Sequence, residues 1–151
     1  MMSPAGFRHG RIAARLLSRI STFVETHGLG VALAAETGFL LRHEPDTVLA
    51  PDVAFVAQDR LGEFSDHAGY LPLAPDLVAE VISPNDRAGE VEAKTRAWLS
   101  FGVKVVLEVD PRTLTVHVYR SGGHSATCSS GLVALGDVLP GFQLDVADLF
   151  A

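Results

Sequence analysis

Apolar residues recur at helical spacing across residues 9–27. Ile12, Leu16, Ile20, Phe23 and Val24 form one stripe with Leu17 beside it, while Arg11, Arg15, Arg19 and Glu25 occupy the polar side. Gly28 and Gly30 end this amphipathic helix and turn the chain. The pattern then becomes strand-like. Residues 31–35, 39–42, 53–57 and 77–82 are short apolar runs bounded by Gly, Pro, Asp or Asn. A second helix is expected over 86–101, because Ser83 and Asp86 have capping-box spacing, Pro84 suits a first helical position and Gly102 closes the run. Residues 103–110 and 114–120 read as a hairpin about Asp110-Pro111-Arg112, and 127–134 and 142–145 as late strands. The stretch 58–75 is polar and without period, a long loop that is either functional or a plain surface excursion. This order predicts one α/β (α+β) domain over residues 1–151, with a mixed β-sheet flanked by helices.

One residue breaks the pattern with chemical consequence. Glu80 lies inside the run Leu77-Val78-Ala79-Glu80-Val81-Ile82, which is apolar on both faces as in a central covered strand. An unpaired carboxylate there costs several kcal/mol or takes up a proton. Glu80 therefore needs a buried salt bridge, a metal ion or a catalytic task. Asp52 follows Pro51 at the entry of the 53–57 strand, a common way to begin a strand. If the two strands are neighbours, Asp52 and Glu80 approach one point, and two hard oxygen ligands suit Mg²⁺ or Mn²⁺. Asp76 is excluded as co-ligand, because four residues of extended chain separate it from Glu80 by roughly 13 Å. Lys94 falls in the apolar stripe of the second helix with Val91, Trp98 and Phe101, opposite Glu92, Arg96 and Ser100. It either snorkels along Trp98 to solvent or reaches the two carboxylates. Together the three suggest hydrolysis of a phosphodiester: the carboxylates hold the cation, which with Lys94 activates water and stabilises the developing phosphate charge.

Composition narrows the alternatives. Hydrophobic residues make up 48% and charged residues 20%, with mean hydropathy +0.26, which excludes a disordered or low-complexity chain. Charges interrupt every apolar run before it reaches the length of a membrane span, and residues 1–10 lack a signal-peptide pattern, so the expected location is cytoplasmic with no membrane partner. Cys128 is the only cysteine, which excludes an internal disulfide and a cysteine zinc site. The six histidines show no H-E-x-x-H spacing, and no dinucleotide-binding glycine motif, P-loop or G-x-S-x-G elbow is present. Net charge is −6, the wrong sign for nonspecific grip on phosphate, so nucleic-acid binding requires a local basic face or a metal-centred site. Arg11, Arg15 and Arg19 form the one basic stripe, either a phosphate track or a solvated face.

Several segments carry a family resemblance. Ser3-Pro4-Ala5-Gly6 with His9-Gly10, Ala50-Pro51-Asp52-Val53-Ala54-Phe55-Val56, Pro75-Asp76-Leu77-Val78-Ala79-Glu80-Val81-Ile82-Ser83-Pro84, Val109-Asp110-Pro111 and Leu139-Pro140-Gly141-Phe142 resemble the Uma-type restriction-endonuclease family, a bacterial branch of the PD-(D/E)xK nuclease superfamily. The resemblance covers nearly the whole chain. It implies a restriction endonuclease-like core with additional strands and Mg²⁺-dependent cleavage of DNA. It also implies Asp52 and Glu80 as metal carboxylates, with Lys94 standing for a lysine moved from the strand onto the helix, since Ile82 occupies its usual place. Family members are expected to carry a further segment ahead of the Ser3-Pro4 motif, so a ligand borne on it is expected to be missing. Glu36 is then either an accessory carboxylate or a solvated turn residue, and His9 either orients a phosphate or caps the helix. The alternative is a catalytically silent nuclease fold serving as an interaction or assembly module; a homodimeric scaffold binding nucleotides or small phosphates is a third. Homodimerisation is expected through exposed aliphatic strands around 103–118.

Overall fold

The computed structural model describes residues 4–151, so Ser3 of the Ser3-Pro4 motif lies outside the described residues. The first amphipathic segment forms α1, Phe7–His27, and its i, i+4 stripe Ile12, Leu16, Ile20 and Val24 is fully buried. Gly28 ends it in the left-handed conformation (φ 61°), which a side chain would resist. There follow β1 (Gly30–Leu33), β2 (Phe39–Arg42), β3 (Thr47–Leu49), β4 (Val53–Ala57), α2 (Gln58–Leu61), β5 (Leu77–Val81) and α3 (Ala88–Ser100). The chain ends with β6 (Val105–Asp110), β7 (Thr115–Arg120), β8 (Ser125–Cys128), β9 (Leu132–Ala134), β10 (Gln143–Asp145) and α4 (Val146–Phe150).

Six strands form one mixed sheet in the order β1-β4-β5-β6-β7-β8. Only β5 and β6 pair in parallel, and such a pair needs a crossover, which α3 provides. Side chains alternate across the sheet. Val53, Phe55, Leu77, Ala79, Val81, Val105, Leu107 and Val109 meet α1 on one face, while Ala54, Val56, Val78 and Val106 meet Trp98 of α3 on the other. Glu80 is two residues from Val78 and so belongs to the α3 face. Two small antiparallel pairs, β2–β3 and β9–β10, complete the architecture. Among the described residues no helix is long and apolar enough to cross a membrane.

The structure departs from the sequence-based expectation at several places. The Asp86 carboxylate accepts the Ser83 N–H at 2.8 Å and closes a turn, so α3 begins at Ala88 after an extended Arg87. The 58–75 stretch is not structureless: it holds α2, a 3-10 turn at Gly62–Phe64 and a bridge from Leu71 to Phe39. The expected 127–134 strand divides at Gly131 (φ 78°), where the chain leaves the main sheet and pairs with β10 instead. The expectation of exposed aliphatic strands around 103–118 is overturned, because β6 lies between β5 and β7 and is buried along its whole length. The sheet edges are β1 and β8.

The arginine stripe of α1 is largely consumed by internal contacts. Arg15 donates to the carbonyl oxygens of Asp148, Leu149 and Ala151, and Arg19 pairs with the Asp148 carboxylate at 2.9 Å. A cation at the carbonyl end of α4 satisfies groups that a short helix leaves unpaired. Only Arg11 of the three remains exposed without such a partner among the described residues. Arg15→Ala is expected to lower stability in urea by about 1 to 2 kcal/mol, and Arg11→Ala by less than about 0.5 kcal/mol.

Candidate active site

The antiparallel register of β4 and β5 pairs Val53 with Ala79, and one step further along the same register Asp52 faces Glu80. Pro51 keeps the chain extended into β4, and the Asp52 carboxylate continues the pairing where the backbone ladder stops: its Oδ2 accepts the Val81 N–H at 2.8 Å. The same oxygen lies 3.3 Å from Nε2 of His9, which the first turns of α1 carry to this end of the sheet. From the other side α3 delivers Lys94, whose Nζ donates to Glu80 Oε2 at 2.9 Å. The helical phase explains that reach. Lys94 lies one turn before Trp98, the residue that seats α3 on the sheet, so its stem runs along the covered face.

Four sequence-selected residues therefore converge: His9, Asp52, Glu80 and Lys94. Glu36 does not join them. It occupies an exposed turn beyond β1 with φ 68°, and makes no ion pair or side-chain hydrogen bond among the described residues. Asp76, at the other end of β5, is buried in a separate ion cluster with Arg60 at 3.0 Å and Lys104 at 3.2 Å.

The site is electrostatically unbalanced. Burial pushes the Glu80 carboxyl up from 4.5 to about 7, against the charge and hydrogen bond of Lys94 and with the charge of Asp52 adding to the rise. Oε1 of Glu80 is buried with no hydrogen-bond partner, as is Nδ1 of His9. An orphaned carboxylate oxygen beside a second carboxylate is an unmet demand for positive charge or a proton. The side chains of Asp52 and Glu80 keep 20% and 16% of their surface, so solvent and ions can reach them. A cleft of about 260 Å³ opens here between the end of β5 and α3, walled by Glu80, Ile82, Asp86, Val91 and Lys94. A larger cleft of about 580 Å³, between α1 and the β10–α4 segment, contains none of the four residues.

Among the described residues no three His, Cys, Asp or Glu side chains are grouped as a metal site. The fit to a cation therefore rests on the carboxylate pair and the unpartnered Glu80 oxygen. Mg²⁺ suits such a set, since it commonly takes one or two carboxylates and completes its shell with water and phosphate oxygens.

Sequence reasoning passed over Glu108 and Thr95. Glu108 pairs with Glu80 in the parallel β5–β6 register and is buried, and Thr95, the neighbour of Lys94, donates its hydroxyl to Glu108 Oε2. The signal for Glu108 was the one that marks Glu80, a carboxylate within an apolar run, here between Leu107 and Val109.

Residues 1–147 match the family model described as "Uma2: Putative restriction endonuclease". No curated protein matches the chain. Among solved structures, the chain is similar to the crystal structure of "a putative nuclease belonging to DUF820" from Anabaena variabilis, with 24% identity and a TM-score of 0.85 over 99% of this chain and 83% of that one. That likeness shows the fold, a restriction endonuclease-like core in which a mixed sheet is flanked by helices.

Because Glu80 holds its proton more tightly in the folded chain, the folded state binds more protons between about pH 4.5 and pH 7. Stability is therefore lost as pH rises through that window. Comparing urea midpoints near pH 5 and near pH 8, Glu80→Gln should remove about 2 to 3 kcal/mol of the wild-type difference.

Proposed function

We propose, from the premise that the chain belongs to the Uma2 family, whose model is described as "Putative restriction endonuclease", that it hydrolyses phosphodiester bonds of DNA with the help of a divalent cation. The observation that carries this reading is the unpartnered Oε1 of Glu80, on a carboxylate that faces Asp52 across the strand register and whose other oxygen accepts from the Lys94 ammonium. Asp52 and Glu80 are the residues that would hold Mg²⁺ or Mn²⁺. When bound, such an ion supplies a Lewis acid that lowers the pKa of water and neutralises phosphate charge.

The chain's own residues account for the remainder of the arrangement. Lys94 keeps a positive charge against Glu80 and favours its ionised form, the form able to bind a cation. The same ammonium would oppose negative charge growing on a phosphate oxygen brought beside Glu80, and a charge fixed in advance stabilises it without reorganisation. His9 and the Val81 N–H hold Asp52 by one oxygen, which fixes the direction of its carboxylate. The cleft beside Glu80 is sized for a phosphate group with its water rather than for base pairs, so the rest of the nucleic acid would lie across its mouth. Cutting both strands of a duplex calls for two such sites, which a symmetric pair of chains supplies.

Two outcomes are expected of plasmid nicking by purified protein. Strand scission should require Mg²⁺ or Mn²⁺, and Asp52→Ala, Glu80→Ala and Lys94→Ala should each lower its rate by about a hundredfold or more. Scission that survives all three substitutions belongs to a contaminant and refutes the reading. Cation binding in calorimetry without scission favours the homodimeric scaffold that binds nucleotides or small phosphates.

Proton competition supplies an independent check. Apparent Mn²⁺ affinity should rise between about pH 6 and pH 8, because Glu80 must give up a proton that it holds up to about pH 7. Glu80→Gln should abolish that pH dependence.

A further inference from the structure

Two carboxylates stand side by side on the α3 face of the sheet, Glu80 on β5 and Glu108 on β6, in direct parallel register. Two consecutive residues of α3 answer them: Lys94 donates to Glu80 and Thr95 donates to Glu108. Resting on the function proposed above, we infer that the Thr95–Glu108 pair is the positioning element that holds the Lys94 ammonium at the reacting centre.

Glu108 and Thr95 keep only 7% and 5% of their surface, so their bond is largely shielded from water. Trp98 seats α3 through apolar contact, which resists separation from the sheet but sets rotation about the helix axis only loosely. A hydrogen bond is directional, and Thr95 makes one a single residue from Lys94. Rotation or sliding of α3 that moved Lys94 off Glu80 would also break the Thr95 bond and leave a carboxylate oxygen buried without a donor.

Glu108 is itself braced from β7. The Tyr119 hydroxyl lies 3.5 Å from its Oε1, and His117 pairs with it in the antiparallel register. The clamp therefore reaches across β5, β6 and β7 to α3. Glu108 and Thr95 need not touch substrate, and they act through Lys94. Misplacing a reacting group by about an ångström is enough to cost a large factor in rate.

The decisive variants are Thr95→Val, which keeps shape and removes the donor, and Thr95→Ser, which restores the hydroxyl. In Thr95→Val the fold should persist by circular dichroism, while its crystal structure should show Lys94 Nζ displaced from Glu80 beyond the hydrogen-bond limit of about 3.5 Å. Glu108→Leu should displace it likewise, and Thr95→Ser should return it. In the nicking assay kcat should fall about tenfold or more in Thr95→Val with KM changed less than about twofold, and recover in Thr95→Ser. Lys94 still paired with Glu80 in both Thr95→Val and Glu108→Leu overturns the inference. Should either variant fail to crystallise, an unchanged Lys94 ammonium signal in its ¹⁵N-resolved NMR spectrum overturns it equally. If the wild-type chain cuts no DNA, the proposed function fails, while the position of Lys94 still decides this inference.

Discussion

A carboxylate in a strand that is otherwise buried raises the free energy of the fold until something compensates it. Glu80 is compensated on one oxygen only: Lys94 satisfies Oε2, and Oε1 has no partner. Burial dominates, the Asp52 charge adds repulsion while its backbone N–H gives some relief, and the Glu80 carboxyl holds its proton up to about pH 7. Much of the surrounding arrangement serves to keep this incomplete compensation in place. The β4–β5 register sets Asp52 opposite Glu80, the β5–α3–β6 crossover brings Lys94 overhead, and α1 delivers His9 from the far face of the sheet.

The first helix links this site to the far end of the chain. Its apolar stripe packs on the sheet, its opening turns reach Asp52, and its middle turns hold α4 through Arg15 and Arg19. Arg15 and Arg19 are thereby committed to internal partners, although Arg19 stays exposed.

What could be read from sequence divides along physical lines. Segments with a helical period or a bounded apolar run were legible: α1, the strands β2 and β4 at the expected bounds, the hairpin of β6 and β7, and the existence of α3. Glu80 was legible because a charge interrupts an apolar run, and Lys94 because helical phase places it among apolar residues. The three-residue strand β3 and the five-residue helix α4 were missed. The start of α3 was misplaced because Asp86 spends its carboxylate on a preceding turn, a choice that spacing alone leaves open. The two roles of the arginine stripe depended on α4, which no local pattern announced. Glu108 carried a readable signal, but its meaning lay in register with another strand, and a linear sequence does not state which strands become neighbours.

The ion cluster at the opposite end of β5 bears on how this scaffold can vary. Asp76 accepts the Ala57 N–H at 2.8 Å and pairs with Arg60, so one buried carboxylate joins the two ends of the excursion between β4 and β5. Closure at that neck sets the sheet alignment before the intervening residues contribute, and the entropy of a closed loop grows only slowly with its length. The excursion is thereby released to lengthen, shorten or change composition over evolutionary time without sliding Asp52 past Glu80, so the fold can remodel its periphery while its carboxylate pair stays in step.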